Sequence, residues 1–188
     1  MRKLSLLFIL LISGCNSTNQ IESNFKKFYS QIPILEYPIV IDCMDDIDYV
    51  YFDNPKDSLV IKYKPENCAV NGRMIDQTNF IAIIYSYPGD FMYPEIHTYS
   101  LSGSPIDTLK LGTSCGWWFS RYERQIISID DKNKVQVVDT LKFYALDDND
   151  EPIIGSDSIV VETKIFQISE TGLINTISCF LDTTNNKQ

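Results

Sequence analysis

The chain has 188 residues, a formal net charge of −9 and 12% aromatic residues. That length suits one domain with its own core. The acidity opposes contact with nucleic-acid phosphates and anionic lipid, and the aromatic content with only eight glycines argues against a disordered chain.

Arg2 and Lys3 precede an apolar run from Leu4 to Ile12, followed by Ser13-Gly14-Cys15. The run is too short for a bilayer-spanning helix, which needs about 20 apolar residues. Its order of basic, apolar and small residues is that of a secretory signal. Ile12-Ser13-Gly14-Cys15 resembles the lipobox of bacterial lipoprotein signal peptides. The resemblance implies that residues 1–14 are removed and that Cys15 is lipidated. Residues 15–21 are then a tether, 22–181 a single β-rich domain and 182–188 a polar tail. It also implies a cell-envelope location, with the lipid holding the body to the outer membrane on its periplasmic or surface side. The other reading is an ordinary signal cleaved nearby, with Cys15 an odd thiol. Removing residues 1–14 takes away Arg2 and Lys3 and brings the formal charge from −9 to −11.

Ile21, Phe25, Phe28 and Tyr29 recur at helical spacing and Pro33 stops the pattern, which predicts one amphipathic helix over 22–31. From Pro38 the texture is that of strands. Ile39-Val40-Ile41 is a short apolar run, followed by an acidic patch at Asp42, Asp45, Asp46 and Asp48. Residues 57–64 alternate apolar and polar and read as a strand; Asn71-Gly72 reads as a turn. Residues 79–87, NFIAIIYSY, form the most apolar segment of the body and read as a central strand. Pro88-Gly89-Asp90 reads as a break opening a loop through Tyr93 and Pro94. Hairpins are expected around Ser102-Gly103, around 130–133 and around 169–172, with an acidic loop over 147–155. Together these predict a mainly β body: an antiparallel sandwich or a partly open barrel or meander of short hairpins, with one N-terminal helix that covers a sheet face or plugs an end.

With Cys15 taken by lipid, Cys43, Cys68, Cys115 and Cys179 remain. An even count in an exported chain reads as up to two disulfides. The expected pairing is Cys43–Cys68, which closes a short loop, with Cys115–Cys179, which ties back the C-terminal strand. A metal site is disfavoured, because His97 is the only histidine and no C-x₂-C pair exists. No phosphate loop, dinucleotide fingerprint or nucleic-acid motif is present, and no cofactor is implied.

Thr98, Tyr99, Gly103, Ile106, Asp107, Leu109 and Leu111 follow an apolar strand and a variable loop in a "tYd-x-x-G-x-x-I-D-s-L-x-L" pattern. This resembles small envelope lipoproteins of the Bacteroidetes. The resemblance implies an all-β fold and an envelope location, and it brings no catalytic residues.

A hydrolase reading would pair His97 with Ser114 or Cys115. A half-buried structural histidine beside Tyr99 is the favoured alternative. Trp117, Trp118 and Phe119 are the densest aromatic run; adjacent strand residues face opposite sides, so at most one tryptophan is core and the other is a binding candidate, with packing in the core or against a loop the favoured alternative. Asp147-Asp148-Asn149-Asp150-Glu151 has the alternating carboxylates of a calcium loop, but Pro152 stands where glycine is wanted, so a solvated turn is favoured. Asp followed by Ser or Thr recurs ahead of an aliphatic residue or Thr. It resembles the O-glycosylation acceptor of exported Bacteroidetes proteins, which would make Ser58, Thr108, Thr140, Ser158 and Thr183 the modified residues. The same pattern is also what Asp-capped turns leading into strands produce.

Two function classes are therefore expected. The first is a non-catalytic envelope lipoprotein that binds a protein or glycan partner, for instance one that neutralises an incoming toxin or hydrolase. The second is an envelope hydrolase using the acidic-loop carboxylates.

Overall fold

The computed structural model describes residues 21, 24–45, 48–52, 54–75, 78–112, 115–153 and 155–185. The expected signal, Cys15 and the start of the tether lie outside the described residues. The body is mainly β, with two antiparallel sheets and no closed barrel. The smaller sheet runs β2 (Ala69–Arg73), β3 (Phe80–Pro88), β4 (Met92–Ser100), β5 (Pro105–Lys110). The larger runs β1 (Ile39–Asp42), β7 (Arg121–Ile129), β8 (Lys134–Phe143), β9 (Ser158–Ile168), β10 (Ile174–Asn185), with β6 (Gly116–Trp118) also on β7.

Alternation along the strands builds the sandwich. Phe80, Ala82 and Ile84 of β3 and Ile96 of β4 meet Ile39, Ile41, Ile127, Ile129, Val135, Val137 and Ile168 of the larger sheet. The opposite side chains of β3, Ile81, Ile83 and Tyr85, are covered by Phe25, Phe28, Tyr29 and Ile32 and by Val60. So β3 is buried on both faces, as its unbroken apolar composition predicts. The N-terminal helix, residues 24–29, covers a sheet face. Arg73 ties it down: its Nε donates to the Ile32 carbonyl at 2.9 Å, and its guanidinium lies over the Tyr29 ring.

Several expectations need correction. Residues 57–64 are not a strand: Ser58–Tyr63 is a helix, with Asp57 as its N-cap accepting from the Leu59 N–H at 2.7 Å. Asn71-Gly72 is not a turn but lies inside β2 at a bulge, where a Cβ on Gly72 would stand 2.5 Å from the Leu35 side chain. The loop expected through Tyr93 and Pro94 is a tight hairpin, since β4 already begins at Met92. Residues 182–185 are not a loose tail; they pair with Ser158–Val161 as the end of β10. The three hairpins expected around 102–103, 130–133 and 169–172 all form, and Gly103 supplies the positive φ (84°) that the first requires.

The expected disulfide pairing is wrong. Cys43 bonds Cys115, and Cys68 and Cys179 are free thiols. The reason is topological. β1 pairs with the Ile126–Ile129 half of β7 and β6 with the Arg121–Glu123 half, on the same edge. Cys43 follows β1 and Cys115 precedes β6, so the bridge closes the joint between two collinear strands. Gln125 holds that joint, its carbonyl accepting from Cys43 N–H at 3.0 Å and its N–H lying 3.0 Å from Cys43 Sγ.

Candidate functional site

The inner face of the larger sheet is apolar at one end and charged at the other. Cross-strand partners share a face, so register places Glu123 beside Leu141, and Gln125 beside Asp139 and then Glu162. Glu123, Leu141, Asp139 and Glu162, with Arg121, Arg124 and Thr140, line a recess of about 260 Å³. Glu123 is 3% exposed, and Asp139 is also buried. Gln125 Nε2 donates to Asp139 Oδ1 at 2.7 Å. Arg121 Nη2 pairs with Glu123 Oε1, and the Arg121 guanidinium stands 5.7 Å from the centre of the Phe143 ring. The second Glu123 oxygen, Oε2, is buried with no hydrogen-bond partner. Glu162 lies at the wall, paired with Lys164 at 2.7 Å, which holds its carboxyl below its ordinary range. On the opposite face Arg124 donates through Nε and Nη2 to Asp42. That pair lowers the Asp42 pKa.

Beside the recess stands the aromatic hairpin. Trp118 lies opposite Arg121 in the register and so shares the inner face, edge-on to Phe91. Trp117 points to the outer face, against Tyr122 and stacked with Tyr144. Neither tryptophan is core: Trp117 is 62% exposed and Trp118 45%. Phe119 forms the tip at 90% exposure and φ 40°, a backbone state that costs a bulky residue about 1–2 kcal/mol. An exposed ring held in an unfavourable backbone state makes the tip a candidate for contact.

His97 lies on the helix-covered face of the smaller sheet. Its Nε2 is 2.9 Å from Glu95 Oε2, and its ring stacks on Tyr87 and Tyr99. Cys115, one of its proposed partners, is in the disulfide, and Ser114 lies outside the described residues. The free thiol of this cluster, Cys68, bonds the Pro65 carbonyl at 3.2 Å, and burial pushes its pKa up, away from a reactive thiolate. Tyr85, Tyr87 and Tyr99 are likewise pushed up, chiefly by burial.

The 147–151 loop is an Asx-type turn, with Asp147 Oδ1 accepting from the Asn149 and Glu151 N–H groups. No group of three metal-ligating side chains occurs among the described residues, and no helix there is long and apolar enough to cross a membrane. Of the glycosylation candidates, Ser58, Thr108 and Thr183 are exposed, while Thr140 and Ser158 are half-buried. Asp57 caps the Ser58–Tyr63 helix, and Asp107, inside β5, accepts from the Thr108 and Ile174 N–H groups, so neither opens a strand from a turn. Sequence reasoning found the aromatic run but missed the recess, whose carboxylates sit singly on three strands. The chain matches no protein-family model, no curated protein and no solved structure.

Proposed function

We propose that this protein is a non-catalytic binding module of the bacterial cell envelope, held to the outer membrane by lipid on Cys15, with a protein as its partner. The observation that carries the binding reading is the paired site: an exposed aromatic hairpin at Trp117–Phe119 beside a recess floored by a buried carboxylate. Concave sites with a few convergent polar groups and exposed rings are what ligands use. The Cys43–Cys115 bridge supports an oxidising compartment. The raised thiol pKa of Cys68 and the engagement of Cys115 support a role without a cysteine nucleophile. Neutralising an incoming toxin or hydrolase is one role this site would suit, and the exposed Ser58, Thr108 and Thr183 suit O-glycosylation.

The test is fractionation and capture. Cys15→Ala should move the protein from the membrane fraction to the soluble fraction. Immobilised wild type should retain an envelope component that Trp118→Ala loses at matched loading. Unchanged partition would end the anchor proposal, and equal retention by Trp118→Ala would end the binding-site proposal.

A further inference from the structure

Resting on that binding reading, we infer that the recess beside Trp118 takes a cationic side chain of the partner, the ammonium of a lysine or the guanidinium of an arginine. Arg121 Nη2 is already held by Glu123 Oε1, and Gln125 Nε2 by Asp139. What lacks a partner is an acceptor. Glu123 Oε2 lies buried at the recess with nothing bonded to it. A buried carboxylate oxygen left so keeps an uncompensated desolvation penalty, and a ligand that brings an N–H donor removes it. A ligand that supplies donors satisfies this oxygen, and the carboxylates of Glu123, Asp139 and Glu162 favour a positive one.

The protein already shows this preference on itself. Arg121 lies with its guanidinium over the Phe143 ring and a nitrogen on Glu123, so a planar cation between ring and carboxylate is the arrangement these residues hold. A second cation beside it would meet Oε2 and the Trp118 ring, which stands on the same face. The net charge of −9 attracts a basic partner from a distance and repels an acidic one.

The probes are Nα-acetyl-lysine methylamide and Nα-acetyl-arginine methylamide, with Nα-acetyl-norleucine methylamide and a methyl glucoside as neutral controls. Full-length protein in detergent carrying Trp117→Phe keeps Trp118 as its only tryptophan, so Trp118 emission reports the site. The expected result is a saturable response to the two cationic amides, weakened by salt and at least tenfold weaker in Glu123→Gln. An equal response to the norleucine amide, or an unchanged affinity in a folded Glu123→Gln, overturns the inference. Should Glu123→Gln fail to fold, Glu162→Gln, at the more open wall, takes its place, and unchanged affinity there overturns it. Saturation by the glucoside alone overturns the cation while leaving the binding module standing. Silence from every probe overturns the recess as the site, and the binding module then stands or falls on the capture experiment.

Discussion

Asp42 ends β1 and holds two stretches of chain together: its carboxylate takes Nε and Nη2 of Arg124 from β7 and the N–H of Met44 from the following turn. These contacts, the Arg124 hydrogen bonds first, keep its pKa below the ordinary carboxylate range, while burial opposes them. A folded pKa below the unfolded one gives stability that is complete above the unfolded value, about 4, and lost as pH falls through the folded value. Wild type should therefore lose thermal stability on acidification below about pH 4 more steeply than Asp42→Asn, which is less stable near neutrality. Superimposable slopes of midpoint against pH would contradict this. At this scale some chemistry was legible in the sequence. Asp ahead of Ser or Thr reads as capping a turn that leads into a strand; Asp57 caps, but a helix, and Asp107 lies inside β5. Glu123 was not legible, because nothing in the order of residues tells which strand carboxylate is buried and which is solvated.

Among the elements, β3 and the N-terminal helix were legible because each carries its burial pattern along its length: a run from Phe80 to Tyr85 apolar on both faces, and aromatics at helical spacing. The Ser58–Tyr63 helix was not, because six residues are too few to separate a 3.6 period from a period of two. Its Leu59, Val60 and Tyr63 pack against the smaller sheet while Ile61 stays 69% exposed, a helical stripe that two turns of sequence do not betray. The N-cap decides the matter locally. Asp57→Ala should cost about 1 kcal/mol, read as a lower denaturant midpoint with an unchanged slope. No loss of stability would mean that packing alone sets this helix.

At the scale of the whole molecule, register and edge-sharing create what sequence order hides. The Cys43–Cys115 bridge spans 72 residues because β1 and β6 follow one another along the same edge of β7. Such a bridge stabilises by about 2–4 kcal/mol, in one account by restricting the unfolded chain. The same register gathers Glu123, Asp139 and Glu162 from β7, β8 and β9 onto one face, beside the hairpin that carries Trp118 and Phe119. The sandwich was legible from its hairpin signals; the recess depends on pairings between strands and so was not. The central claim is that this end of the larger sheet is where a partner binds. Site-specific photo-cross-linking in cells tests it most directly, with the reactive side chain placed at Phe119, on the hairpin tip, and in a control at Lys132, on the turn at the far end of β7. The account predicts a discrete protein adduct from position 119 and none from position 132. Adducts of equal yield from both positions, or an adduct from 132 alone, would contradict it.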